Sequence, residues 1–276
     1  MVGERDFGRN AEIDVEDLQE RWFAHWLKGE DTGIDDLPPY HIFVMGQNEW
    51  RDEYEWPLAR TRYTPYYFHS RGAANSLKGN GRLSTAKPVD EPSDRYVYDP
   101  DNPVPTRGGC LLFGEEFGPL DQRKVEKRDD VLVFTSEKLD VALEVTGPVK
   151  VILYAASSAP DTDWTAKLVD VYPDGRAFNL CDGIIRARYR GSATKPTLIE
   201  PGKTYRYEID LWVTSNVFLP GHKIRVEISS SNFPRLDRNP NTGHPFGADA
   251  ELRKATQTVY HNAQHASHIL LPVIPK

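Results

Sequence analysis

The sequence predicts a mainly β protein: an antiparallel sandwich of the jelly-roll type, preceded by one helix and a short strand. Three observations carry this expectation. Apolar spacing near 3.6 residues is confined to the first thirty positions. Beyond residue 58 about ten runs rich in Val, Ile, Tyr and Thr are separated by turn signals, with no helical pattern between them. No internal repeat is visible, which argues against a propeller or a solenoid.

Asp14 is placed to cap a helix over 14–28, whose apolar positions Val15, Leu18, Trp22 and Trp26 are spaced 3, 4 and 4. Phe23 and Leu27 widen the stripe, and Lys28-Gly29 closes it. Two tryptophans on one face need a broad surface to pack against. After Pro38-Pro39 the period changes to 2. HIFVMG (41–46) is a short buried-type strand, and the acidic NEWRDEYEWP (48–57) reads as a linker. The strand runs that follow are 63–69, 81–85, 94–99, 131–136 and the long 143–158. Residues 163–189 form two strands joined at Pro173-Asp174-Gly175, where proline presets φ and glycine accepts the turn. The clearest alternation lies in 204–213: Tyr205, Tyr207, Ile209, Leu211 and Val213 should face inward. Ile224, Val226 and Ile228 repeat the pattern, and 256–261 and 268–274 finish the count.

Composition excludes several classes. At 39% hydrophobic and 11% aromatic the chain can bury a sizeable core, and its net charge of -7 without a Lys/Arg cluster argues against nucleic-acid or anionic-membrane partners. Cys110 and Cys181 match no metal or redox spacing, so a reduced, cytoplasmic protein is the simplest expectation. No run approaches the ~18 apolar residues of a membrane span, and no secretory leader pattern or N-glycosylation sequon occurs.

ISSSNFPRLDRNPNTG (228–243) invites a catalytic reading, but Ser229, Ser230 and Ser231 lack the G-x-S-x-G elbow that projects a nucleophile toward its histidine. They read instead as strand-end residues, with Pro234 and Pro240 ending the ladder and Arg235, Asp237 and Arg238 tying the exit loop. His261, His265 and His268 would align for zinc only on a helix, whereas their flanks are strand-like. Asp161, Asp163, Asp170 and Asp174 lack a dense calcium-loop pattern. No metal site and no cofactor is therefore expected. GGCLLFGEEFGPLDQR (108–123) places Leu111, Leu112, Phe113 and Phe117 in a long connection, either folded on its own core or presented as an apolar wall.

From FVMGQNEWRDEYEWPLARTRYTPYYFHSRGAANSL through GPLDQR, RDDVLVFTSE and VTGPVKVILYAASSAPDTDWTAKLVDVYPDGRAFNLCDGI to TSNVFLPGHKIRVEISSSNFPRLDRNPNTG, the chain resembles the C-terminal part of the cocaine-esterase-like, X-Pro dipeptidyl-peptidase family of serine hydrolases. The resemblance runs along nearly all 276 residues. It implies an α/β-hydrolase domain followed by a galactose-binding-like jelly roll, here with residues 1–57 as the end of the hydrolase domain and 58–276 as the jelly roll. It implies that the serine, aspartate and G-P-W-x-H histidine of the triad lie outside this chain, so that no catalytic residue is expected within it. The pair after the Gly-Gly, Leu112 and Phe113, would line the acyl part of the substrate pocket, each side chain worth ~1.5–3 kcal/mol on burial. The face of Trp22, Phe23, Trp26 and Leu27 would pack on the hydrolase domain, in cis or, for a split enzyme, in trans; homo-oligomerisation stays open. The competing expectation is a stand-alone carbohydrate-binding module with Trp212 or Trp164 stacking on a sugar.

Overall fold

A computed structural model describes residues 1–111, 116–245, 247–248 and 250–275. Helix α1 (Val15–Phe23) starts as its sequence requires: the Asp14 side chain accepts the Asp17 amide at 2.9 Å. It widens into a π-type turn over Ala24–Lys28 and stops at Gly29, whose φ of 72° suits a residue without Cβ. No residue of α1 is buried.

The segment expected as a linker is half of a hairpin. Strands β1 (Tyr40–Val44) and β2 (Glu49–Glu53) pair antiparallel. Of the segment's acidic residues Glu53 is buried and held by arginines, and Asp52 pairs with His41. Arg51 donates to both oxygens of Glu144 at 3.0 and 2.6 Å and pairs with Glu53, which Arg60 also holds. Trp50 stacks on His41 at 4.5 Å and meets Phe43 edge-on at 5.2 Å. The hairpin docks on the main sheet through reciprocal bonds from Met45 to Ser215 (3.0 Å) and from Val217 to Met45 (2.8 Å).

The body of the protein is a mainly β sandwich. Its strands are β3 (Arg62–His69), β4 (Arg82–Ser84), β5 (Asp94–Tyr98), β6 (Leu132–Ser136), β7 (Leu143–Ser157), β8 (Asp163–Val171), β9 (Ala177–Arg186), β10 (Tyr205–Phe218), β11 (Lys223–Ser229), β12 (Ala255–Tyr260) and β13 (His268–Ile274). They run β5-β12-β7-β13-β3-β4-β6-β11-β8-β9, with β10 on the other side of β7. The β4–β6 pair is parallel, and the remaining pairs are antiparallel. Because β7 is fifteen residues long, it holds β10 on one side and β13 followed by β12 on the other.

The sheet turns back on itself until β9 lies against β10. A Cβ at Gly183 would come within 1.9 Å of the Asp210 carbonyl oxygen, so only glycine lets the two backbones approach this closely. Between the layers sit Trp164, Tyr98, Tyr207, Phe68, Phe134 and Phe218, all fully buried. Phe68 of β3 stacks on Phe134 of β6 at 4.6 Å, and Trp164 of β8 tilts onto Tyr207 of β10 at 5.7 Å. Each such ring contributes ~1.5–3 kcal/mol by leaving water.

The alternation in β10 holds for Tyr207, Ile209 and Leu211, but Val213 is 40% exposed rather than inward. A bulge between Asp210 and Val213 puts Trp212 at φ 67° and moves the phase, so that Thr214 is buried instead.

Candidate functional site

Two glycines open the site. Gly109 and Gly118 exchange backbone bonds of 2.8 and 2.9 Å, forming a narrow stem. The crossing is tight: a Cβ at Gly108, whose φ is 70°, would lie 2.5 Å from the Gly118 oxygen. Leu112 and Phe113 lie outside the described residues, while Leu111 is half-buried and Phe117 is exposed.

The stem is bolted to β9. Asn179 Oδ1 accepts from the Leu120 amide (2.8 Å) and from Gln122 Nε2 (3.0 Å); the latter also donates to the Arg107 carbonyl (2.9 Å). Gln122 Oε1 accepts from Lys167 Nζ at 3.1 Å. These groups are buried and mutually satisfied, which gives the stem a rigid base.

Beside the stem lies a cleft of about 460 Å³ lined by Met45, Cys110, Leu180, Cys181, Trp212 and Arg235, among others. The β10 bulge forms one wall. Trp212 is 75% exposed, and its amide donates to Asp210 Oδ1 at 2.9 Å. The exit from β11 forms another: Arg235 Nη1 reaches both Asp182 oxygens (2.6 and 2.5 Å), and Asn232 Nδ2 adds a third bond at 2.9 Å. A second depression of about 540 Å³ adjoins the first through Met45, Leu180 and Val213 and extends to Tyr40 and Trp56. The surface is largely apolar. Asp182 is already bonded to Arg235 and Asn232, and burial, with Asp182 and Cys110 nearby, pushes the Cys181 thiol up, away from the reactive thiolate. Among the described residues this cleft can hold and orient an apolar group, with no base positioned beside a nucleophile.

The serine stretch is a strand exit. Ser229 Oγ bonds Thr165 Oγ1 (2.6 Å), Ser230 Oγ bonds the Tyr96 hydroxyl (2.9 Å), and Ser231 Oγ accepts the Val104 amide (2.8 Å). All three are buried. The arginines and aspartates tie the loop as the sequence implied: Arg186 bridges Asp163 and Asp237, Arg235 holds Asp182, and Arg238 donates to the Pro100 carbonyl. None of the four aspartates weighed for calcium forms a cation site. Asp161 holds Arg188, Asp163 holds Arg186, Asp170 holds His222 and Asp174 holds Arg176. The histidines scatter too: His261 is buried on Asp94, while His265 and His268 meet Tyr154 and Tyr67. No metal-binding group is found among the described residues.

Sequence reasoning missed one constellation, since Ser70, Asp94 and His261 are too far apart in the chain to leave a motif. Ser70 Oγ donates to Asp94 (2.8 Å), and His261 Nε2 lies 2.8 Å from Asp94 and 3.2 Å from Ser70 Oγ. A triad needs the carboxylate and the nucleophile on opposite imidazole nitrogens. Here Asp94 and Ser70 share Nε2 while Nδ1 faces Glu91 at 3.4 Å, and Ser70, Asp94 and His261 are all buried, so the cluster ties the start of β5 to the residue after β12 and is closed to a substrate. Trp164 is fully buried as well, which removes it as a sugar platform.

Fold and site together define a β-sandwich module that presents an apolar surface and carries, among its described residues, no complete hydrolytic set. Residues 32–270 match the family described as the X-Pro dipeptidyl-peptidase C-terminal non-catalytic domain. The chain is 48% identical to the cocaine esterase of Rhodococcus sp. (strain MB1 Bresler), over 99% of this chain and 49% of that enzyme. Its fold matches an aminopeptidase from a marine-sediment Thaumarchaeota archaeon with a TM-score of 0.84 at 31% identity, covering 100% of this chain and 46% of the other. An α-amino acid ester hydrolase follows at 0.77 and 30%, covering 92% and 44%. The chain belongs to the X-Pro dipeptidyl-peptidase C-terminal non-catalytic domain family, and it spans about half the length of the relatives it matches. Those relatives carry a hydrolase domain in addition to the region matched here. Among the described residues no helix is long and apolar enough to cross a membrane.

Proposed function

We propose that this chain is the C-terminal, non-catalytic part of a serine hydrolase acting on esters or amides, with the triad carried by a hydrolase domain outside these residues. Residues 58–276 act as the jelly-roll domain, and 1–57 complete the hydrolase domain and join the two. The unburied apolar face of α1 and of the π-type turn that continues it carries this reading. Trp22, Phe23, Trp26 and Leu27 are 48, 51, 59 and 77% exposed, a cluster that an isolated monomer would not leave in water. A hydrolase domain seated there would remove this apolar area from solvent.

The cleft between the Gly109–Gly118 stem and the Trp212 bulge then supplies one wall of the substrate pocket, with Leu112 and Phe113 as its apolar contacts. This wall binds and orients; the serine, activated by histidine, attacks the carbonyl in the other domain. Two unbridged cysteines suit a reducing compartment such as the cytoplasm.

The same exposed face also fits a split enzyme, whose hydrolase half associates in trans. The test is one titration. This chain alone should not hydrolyse a p-nitrophenyl ester beyond the buffer rate, and mixing with the separately produced hydrolase domain should restore turnover blocked by a serine-directed inhibitor. Trp22→Glu/Trp26→Glu should abolish that restoration while leaving the β-sheet circular dichroism intact. Inhibitor-sensitive turnover by the chain alone would overturn the proposal. A positive glycan array, with Trp212 required, would favour the carbohydrate-binding alternative.

A further inference from the structure

The sequence holds two cysteines, and both line the same cleft although they lie far apart in the chain. Cys110 is exposed and Cys181 is buried, and neither is in a disulfide. The backbone explains the juxtaposition. The segment 108–110 runs along β9: a Cβ at Gly108 would sit 2.8 Å from Asn179 Oδ1, and one at Gly109 3.5 Å from Asp182 Oδ1. Cys110 is the next residue, and it lines the cleft together with Cys181 of β9.

We infer that Cys110 and Cys181 form a peroxide-responsive dithiol pair, in which the exposed sulfur reacts first and the buried one resolves it as an intramolecular disulfide. In the first step Cys110 sulfur attacks the O–O bond of a peroxide. An S–O bond forms, the O–O bond breaks, and the departing hydroxide takes the thiol proton as water. In the second step Cys181, a thiol until the pair reacts, attacks the sulfenic sulfur of Cys110 as its proton passes to the departing oxygen. The S–S bond forms, the S–O bond breaks, and the oxygen leaves as water. Two thiols and one hydrogen peroxide become one disulfide and two waters, with one electron lost from each sulfur.

The division of labour follows from position. Reagents reach Cys110, whereas burial shields Cys181 from the oxidant and from exchange with free thiols. Closing the bond would tie Cys110, beside the Gly109–Gly118 stem, to β9 across the cleft. The inference does not depend on the hydrolase reading, since it concerns this chain alone.

The reduced chain is treated with hydrogen peroxide, unfolded, alkylated and digested for mass spectrometry. A cross-linked peptide pair lacking two hydrogens is expected, together with loss of both alkylation sites, monomeric migration on a non-reducing gel, and full reversal by dithiothreitol. In Cys181→Ser, checked for folding by circular dichroism, Cys110 should instead be trapped by dimedone as its sulfenic acid. Progression of wild-type Cys110 to sulfinic or sulfonic acid with Cys181 still alkylated would overturn the inference. Oxidation that only links two chains through Cys110 would do so as well.

Discussion

Replacing Arg186 by Met tests the ion-pair lock that shapes the exit from β11. In the wild type, Arg186 Nε and Nη2 donate to the two oxygens of Asp163 at 2.9 Å each, and Nη2 also reaches Asp237 at 2.9 Å. The Asp163 side chain is 1% exposed, and its remaining partner is Asn239 Nδ2 at 2.8 Å. Removing one member of such a buried pair strands a charge in a low-dielectric site, which costs about 3–5 kcal/mol at neutral pH. With a urea slope near ~3 kcal/mol/M for a chain of this size, the midpoint should fall by roughly 1–1.7 M.

The pH dependence gives the sign. Burial already holds the Asp163 carboxyl above its ordinary range, against the pull of Arg186 and Asn239. Without Arg186 it rises further, so the folded variant binds a proton that the unfolded chain has released. Stability that is present below the unfolded carboxylate range is then lost as pH rises through the higher folded value. The deficit relative to wild type should therefore be small at about pH 4 and full at about pH 8. Asp163→Asn/Arg186→Met, which removes both charges, should recover most of the loss. Equal deficits at both pH values, or a double variant no better than the single one, would refute the reasoning.

Gly183→Ala should cost about 3 kcal/mol or more, at the upper end for overpacking, because the new Cβ meets the Asp210 carbonyl backbone rather than a side chain that can swing away; a melting temperature within a degree or so of wild type would count against the β9–β10 contact. Burial, with Glu227 nearby and Arg225 opposing, pushes the Glu126 carboxyl up to about 8, so its contribution to stability is full below the unfolded value of 4.5 and is lost as pH rises through about 8. Glu126→Gln should flatten that part of the stability profile in urea titrations across the interval, and an unchanged slope would contradict the assignment.

How much was legible depended on how local the cause was. The helix cap at Asp14, the glycine stop at Gly29 and the inward sets of β11 are properties of neighbouring residues, and they fall where spacing and capping chemistry put them. The hairpin partner β2 was not legible. Nothing local shows that Arg60 will hold Glu53 or that Glu144 of β7 will hold Arg51, and these contacts are what fix the strand in place. The inward assignment of Val213 failed for a similar reason, since alternation assumes an unbroken register and nothing in DLWVTS announces a bulge.

By itself the sequence determined the β class, the serine stretch as a strand exit, the family resemblance and the heavy apolar face of α1, because each is written in spacing, composition or a continuous motif. The tertiary structure alone decided which distant groups meet. Closure of the sheet on itself brings β9 to β10, the Gly109–Gly118 stem to Asn179, Arg186 to Asp237, and Cys110 into one cleft with Cys181. These pairings join residues many positions apart, and the chain closes such loops only when the shared core repays their entropy.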